Sequence, residues 1–377
     1  MKILFLSHHI KGNDGWSRYA RDIIRAVRQE GAEVLCLVHE LSPETDIPQK
    51  KCLEKPLAYV ANPLRSFLSA IKINKAISEF SPDIIQFIVE PYGSIIPFLH
   101  KRRSKIVLNA HSTYAFLPAL ISGMRRIVTT FTARQVYDRT DTVVCISKYT
   151  AQYVKRRLSE IHAEHAISNK IVIMGGGVDI IPETGHIPSR LIHARKEILF
   201  VGAIKPRKGL IEAIEALALI KTNFIYRIVG YYEADNLYVK KIIRKINELQ
   251  LKDKVELVGQ VSDDKLRLLY KDADLFLMLS TNNGADFEGY GIVYLEANLY
   301  GVPCIGPRDS GVSDAILDGK TGYLVDQHDS SSVAQTIERV LGDHMIRSAD
   351  CVNWAKENSI KNRAKTMMAI YENLITQ

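Results

Sequence analysis

One rhythm constrains this chain more than any other feature, and it occurs twice. Short, continuously apolar runs recur between longer helical stretches: Ile3–Ser7, Glu33–Val38, Asp83–Val89, Lys105–Ala110, Thr142–Ser147 and Lys170–Met174 in the first half. In the second half they are Glu197–Gly202, Phe224–Gly230, Val255–Gly259, Asp274–Leu279, Pro303–Gly306 and Thr321–Val325. Continuous rather than alternating hydrophobicity marks strands covered on both faces, so each set predicts a parallel sheet wound with helices. Between the sets, Pro182, Gly185 and Pro188 break the pattern and read as a linker. The expected organisation is an α/β domain over residues 1–187 and a second over 188–357. A last helical run, about 358–377, is expected to pack back on the first. Doubly wound sheets bind ligands beyond the carboxyl ends of their strands, so two such domains facing one another predict a cleft.

At 377 residues the chain suits two domains of ordinary size, and 46% hydrophobic with 24% charged residues suits a globule. The apolar start from Met1 to His8 is too short for a signal peptide, and no stretch has the length needed to span a bilayer. The five cysteines are odd in number, scattered and never spaced Cys-x-x-Cys. That points to a reduced, cytoplasmic setting, without a disulfide frame or a zinc site. The net charge of +8 lies wholly in residues 1–187, which hold 25 Lys+Arg against 17 Asp+Glu, while residues 188–377 hold 25 of each. It concentrates in residues 101–157, where 12 basic residues face only Asp138 and Asp141. Such a patch asks for an anionic partner. No recognition motif or aromatic stacking pattern directs it to nucleic acid. The segment Leu117–Arg139, with Ile127, Val128, Phe131 and Val136 taken as one side, reads either as an ordinary amphipathic helix or as attachment to an anionic membrane face.

Chemistry concentrates in Asp286-Phe-Glu-Gly-Tyr-Gly-Ile-Val-Tyr-Leu-Glu296. Gly289 and Gly291 suit a tight loop that lets backbone approach a ligand, and Ile292 begins a buried helix whose free N–H groups attract phosphate. Glu288 and Glu296 flank that helix start, and carboxylates accept hydrogen bonds from neutral hydroxyls. A ligand with phosphate in its middle and hydroxyls at both ends is a nucleotide-sugar. After the strand ending at Gly202, the cations Lys205, Arg207 and Lys208 crowd a turn, where they read either as a solvated basic turn or as stabilisers of a departing diphosphate. In the first half, a glycine loop at Gly12 and Gly15 follows strand one, and His111 ends the fourth strand. His8 and His9 are neighbours on a strand, pointing to opposite faces, which disfavours a joint metal site. Asp272-Ala-Asp274 has the look of a metal motif but falls where a helix gives way to a strand, which favours a helix-end or strand-edge role. No metal and no cofactor is expected.

With Glu288-x7-Glu296 joined to Gly202-…-Lys208-Gly209, Ser310-Gly-Val-Ser-Asp314, Gly177-Val-Asp179 and Gly301-Val-Pro-Cys-Ile, the sequence resembles the retaining glycosyltransferases of family 4, the "group 1" glycosyl transferases, over nearly its whole length. The resemblance implies two Rossmann-like domains facing across a cleft, the GT-B fold. It implies a sugar moved with retention from a nucleotide-sugar to a glycan, glycolipid or lipid-linked acceptor; the readings above add that no metal is expected and that the protein is cytoplasmic, at the inner face of the membrane if the basic segment docks there. Glu288 would then bind the donor sugar's hydroxyls and Glu296 the ribose. Gly291 and Ile292 would offer backbone N–H groups, and Lys208, with Gly202, Lys205 and Arg207 around it, would hold the diphosphate. Gly15 would approach that diphosphate, and His111 would orient sugar and acceptor. Three positions depart from the pattern: Ala203 where arginine is usual, Gly176 where asparagine is usual, and Asp314 where glutamate is usual. The rival readings are an epimerase or hydrolase of the same architecture and a non-catalytic nucleotide-sugar binder.

Overall fold

The structure, a computed structural model, describes residues 1–12, 15–111, 123–167, 169–180, 195–233, 235–284, 286–343 and 345–376. The segment read as a linker, Pro182 to Pro188, lies outside them. The chain divides into two units, Met1–Gly177 with Ile360–Gln377, and Val178–Ser359.

The first unit is built on β1 (Lys2–Ser7), β2 (Glu33–Val38), β3 (Gln49–Lys51), β4 (Ile84–Phe87), β5 (Lys105–Ala110), β6 (Thr142–Cys145) and β7 (Ile171–Ile173). They form one sheet in the order β3-β2-β1-β4-β5-β6-β7, every neighbouring pair parallel. Ile3, Leu4, Phe5 and Leu6 are all fully buried, as expected of a central strand covered on both faces. The second unit holds β8 (Lys196–Val201), β9 (Phe224–Val229), β10 (Val255–Gly259), β11 (Leu275–Leu277), β12 (Cys304–Pro307) and β13 (Gly322–Val325). Their order is β10-β9-β8-β11-β12-β13, again all parallel. All twelve apolar runs form strands. The thirteenth, β3, is Gln-Lys-Lys at a sheet edge and carries no apolar signal.

In each sheet the strand order reverses once, between β1 and β4 and between β8 and β11. Connections leave the two strands at such a point in opposite directions and open a crevice at their carboxyl ends.

The helix Ile360–Thr376 belongs to the first unit, burying Ala364, Met367 and Tyr371 at helical spacing beside the helix Gly15–Gln29. Beneath it runs a buried polar chain. The Tyr371 hydroxyl meets Gln86 Oε1, Gln86 Nε2 donates to Asn109 Oδ1 at 2.6 Å, and Asn109 Nδ2 donates to the Tyr19 hydroxyl at 3.1 Å. Amides inside buried strands thus find partners, as they must.

The helix Met124–Arg139 corrects one expectation. Its core face is Thr129, Ala133, Val136 and Tyr137, while Met124, Ile127 and Phe131 face solvent. Val136 and Phe131 therefore do not share a side, because residues five apart lie far round a helix from one another.

Candidate active site

In the second unit, the turn after β8 and the loop after β11 are locked together by backbone. Gly209 sits at φ +66°, and a side chain there would place its Cβ 1.7 Å from the Leu279 carbonyl oxygen. Only glycine allows that approach. The Thr281 N–H donates to the Arg207 carbonyl at 2.9 Å and closes the junction. The short helical turn Pro206–Lys208 is thereby aimed at the loop carrying Glu288.

Two cations and two carboxylates meet there. Lys208 Nζ lies 2.5 Å and Arg207 Nη1 2.8 Å from the same Glu288 oxygen, while Arg207 Nε pairs with Asp286 at 3.0 Å. Glu288 and Lys208 are each 13% exposed. Burial works against charge on Glu288, but the coulombic attraction of Lys208 and Arg207, helped by their hydrogen bonds, outweighs it and holds the carboxyl pKa below its ordinary value. The Glu288 carbonyl accepts the Gly311 N–H at 2.9 Å, which ties the Ser310–Asp314 turn to the same loop. Lys205 is exposed and has no ion pair among the described residues. Ala203 is exposed on the same turn.

Gly291 precedes the helix Ile292–Leu299 at φ +80°, and a Cβ there would stand 2.7 Å from the Tyr294 ring. Left-handed backbone and crowding together require glycine at this helix start. One turn on, Glu296 is buried and accepts from the Tyr270 hydroxyl at 2.9 Å. Tyr270 in turn stacks on Tyr300, with ring centroids 5.5 Å apart. The two glutamates thus have different partners: Glu288 is held by cations and Glu296 by a phenol. Nothing in the spacing of the sequence pointed to Tyr270.

Gly15 and His111 belong to the first unit. Gly15 opens its helix with nothing within 4 Å of an added Cβ, so the unit's own packing does not require glycine there. Asn13 and Asp14 of the same loop lie outside the described residues. His111 stands just past β5, buried, its Nε2 3.1 Å from the Ile88 carbonyl and its own carbonyl accepting from Thr150 Oγ1 at 2.9 Å. A carbonyl can only accept, so Nε2 carries the proton and Nδ1 is left as an acceptor. Burial drives the His111 pKa down to about 4 against the Ile88 hydrogen bond, so the ring is neutral at physiological pH. Tyr19, from the Gly15 helix, meets it edge-on at 4.9 Å. His9 contacts Ser17 Oγ at 3.0 Å, and His8 stacks on His39.

Asp272 ends a helix, and Asp274 accepts the Glu197 N–H at 2.9 Å and pairs with Lys196 at 3.2 Å. Asp274 is thus a strand-edge group at the amino end of β11, opposite the Lys208 edge. Among the described residues no group of three or more His, Cys, Asp or Glu is placed to hold a metal ion. No helix among them is long and apolar enough to cross a membrane.

Known proteins agree with this architecture. Residues 186–362 match the sequence model of glycosyl transferases group 1, and residues 13–180 that of glycosyltransferase family 4. A putative colanic acid biosynthesis glycosyltransferase, WcaL of Salmonella typhimurium, is 30% identical over 169 residues, 44% of this chain and 40% of that protein. A GDP-mannose-dependent alpha-(1-6)-phosphatidylinositol monomannoside mannosyltransferase of Mycolicibacterium smegmatis is 31% identical over 172 residues, 44% of each. The matched segments therefore span less than half the length of these relatives. Anabaena HepE, solved in complex with UDP and glucose, superposes with a TM-score of 0.74 at 19% identity, over 99% of this chain and 100% of that one. The sucrose-phosphate synthase of Thermosynechococcus elongatus gives 0.76 at 18% identity, over 100% and 99%. At such identities the likeness is one of fold. Two parallel-sheet units, the matched family sequences and these GT-B neighbours lead to one conclusion: the chain belongs to the family 4, or group 1, glycosyltransferases.

Proposed function

We propose that this protein transfers a hexose-type sugar from a nucleotide-sugar to a glycan, glycolipid or lipid-linked acceptor in polysaccharide or glycoconjugate synthesis, with retention of configuration and without a metal. The observation that carries this reading is the Arg207–Lys208–Glu288 cluster at the point where the second sheet reverses its strand order. Two cations held on a carboxylate are what a departing nucleoside diphosphate needs, because fixed charge stabilises the transition state more than the ground state. The second unit would bind the donor, with Lys208, Arg207, Lys205 and the Gly202 turn at the diphosphate. Glu288 would receive the sugar hydroxyls, the Gly291 and Ile292 N–H groups the sugar or diphosphate, and Glu296 the ribose. The first unit would bind the acceptor. Gly15, also of the first unit, would approach the donor's diphosphate, and the neutral His111 ring offers Nδ1 to a hydroxyl rather than a positive charge to a phosphate. The acceptor hydroxyl attacks the anomeric carbon on the face the diphosphate leaves, and a donor phosphate oxygen takes its proton. Retention rests on the family resemblance, and metal independence on the helix-end and strand-edge reading of Asp272 and Asp274. Relatives and neighbours are described with GDP-mannose, UDP-glucose and colanic acid, which supports the substrate class without choosing among sugars.

A panel of nucleotide-sugars tests the reading by thermal shift, since a ligand that binds only the folded state raises the melting temperature. One donor is expected to stabilise the wild type and to lose that effect in Lys208→Ala. Turnover with an acceptor pool, unaltered by chelator and giving the donor's own anomer by NMR, completes the case. Free sugar released without an acceptor would favour the hydrolase alternative, and binding without turnover the non-catalytic one.

A further inference from the structure

The helix Asp263–Asp272 supplies none of the chemistry above, yet it reaches Glu296 through one side chain. Tyr270, in its last turn, is 3% exposed. Its hydroxyl donates to Glu296 Oε2 at 2.9 Å, and its ring stacks on Tyr300 with the two planes 4° apart. Glu296 lies in the helix Ile292–Leu299 and Tyr300 caps its end. The two are four residues apart, so they share one face of that helix, and Tyr270 holds both. Tyr270 also lies 6.4 Å from Phe276 of β11, whose ring meets Tyr294 edge-on at 5.2 Å. Tyr300, Tyr270, Phe276 and Tyr294 thus form a buried row of rings along the helix that carries Glu296. Close-packed rings have few positions open to them, so the Tyr270 hydroxyl is delivered to a fixed point.

That hydroxyl is aimed at a carboxylate. A hydrogen bond to a charged acceptor is stronger than one between neutral groups and sets the acceptor's orientation. A carboxylate has about four lone-pair sites, and fixing one of them on Oε2 fixes the directions in which the others point. A ribose offers two neighbouring hydroxyls, and receiving both depends on those directions.

We propose that Tyr270 is a positioning residue for ribose recognition: its hydroxyl holds the Glu296 carboxylate in the orientation that receives the 2′- and 3′-hydroxyls, and so contributes to the choice of ribonucleotide over deoxyribonucleotide. This rests on the reading of Glu296 as the ribose acceptor. Tyr270 acts through Glu296, so its effect falls on recognition of the ribose.

The test compares the full-length wild type, Tyr270→Phe and Glu296→Ala by calorimetric titration with UDP, GDP and their 2′-deoxy and 3′-deoxy forms. Tyr270→Phe keeps the stacked ring and removes the hydroxyl alone. The nucleotide that binds should bind the wild type at least about tenfold more tightly than its deoxy forms, as a hydrogen bond to a charged group implies. That preference should fall to about threefold or less in Tyr270→Phe and be lost in Glu296→Ala, because the ribonucleotide binds less tightly while its deoxy forms bind as before. The preference compares two ligands on one folded population, so a lower stability of either variant cancels from it. A Tyr270→Phe protein that keeps the wild-type preference while Glu296→Ala loses it overturns the proposal and leaves the ribose reading standing. Equal weakening of ribonucleotide and deoxynucleotide by Tyr270→Phe would make the residue structural only, and overturns it too. A preference that survives in Glu296→Ala, or a wild type that binds neither nucleotide, counts against the donor-site reading itself, and the proposal falls with it.

Discussion

At the residue scale the informative group is Glu288, because its position was legible in the sequence and its partners were not. Spacing placed it eight residues before Glu296 and beside the glycines of a helix start. Its bonds to Lys208 and Arg207 join residues 80 and 81 positions away, and local pattern carries no information about such pairing. The same limit hid Tyr270 behind Glu296. The pair with Lys208 has a measurable consequence. The cations hold the folded-state pKa of Glu288 below 4.5, so its contribution to stability is present above that value and lost as pH falls through the folded pKa. Glu288→Gln leaves Lys208 without its counter-charge and Arg207 with Asp286 alone, a loss on the order of 3 kcal/mol when a buried pair is broken. Thermal melts of the two proteins should differ most near neutral pH and converge in acid. A pH-independent gap would mean that the carboxylate's charge is not what matters.

At the scale of elements, strands were the easiest features to read and helix faces the hardest. A strand buried on both sides announces itself by composition alone. A helix with apolar residues on two sides does not say which one meets the core. Met124–Arg139 shows this, with Val136 and Tyr137 inside and Met124, Ile127 and Phe131 outside. The basic region around it also resolves into two kinds of residue. Lys101 pairs with Asp141, Arg157 with Glu160, and Arg134 and Arg139 donate to the carbonyls of Ile161 and Leu99. Those four serve the fold. Arg125 and Arg126 stand exposed beside the outward Met124 and Ile127, the combination of apolar wedge and cation that binds an anionic lipid surface. We propose this helix as the membrane contact within residues 101–157. Ile127→Glu with Phe131→Glu should weaken co-sedimentation with anionic vesicles by about tenfold or more, since each buried side chain of this size contributes about 1.5 kcal/mol or more. Arg125→Gln with Arg126→Gln should flatten the dependence on salt. Equal binding to neutral vesicles would rule the mechanism out.

At the scale of the whole molecule, the chain's last helix completes its first unit. Ala364, Met367 and Tyr371 fill the face beside the Gly15 helix, and Tyr371 is the end of the polar chain that runs through Gln86 and Asn109 to Tyr19, whose ring touches His111. The residues nearest the end of the sequence therefore support the proposed acceptor side, while the proposed donor site, Gly15 apart, is built from residues within Val178–Ser359. The two functions can accordingly be separated by mutation. Tyr371→Ala removes a fully buried ring and leaves Gln86 Oε1 without its partner, which should destabilise the first unit by roughly 3–5 kcal/mol. Hydrogen exchange should then quicken in β1, β4, β5 and the Gly15–Gln29 helix, while β8 to β13 keep their protection. Affinity for the nucleotide-sugar should stay within about twofold of wild type, because the Lys208, Glu288 and Glu296 part of the donor site is unchanged, as is usual for distant and independent sites, and transfer to the acceptor should fall. If Tyr371→Ala weakened nucleotide binding as much as it slowed transfer, the two units would not divide the substrates between them, and the acceptor role of the first unit would have to be abandoned.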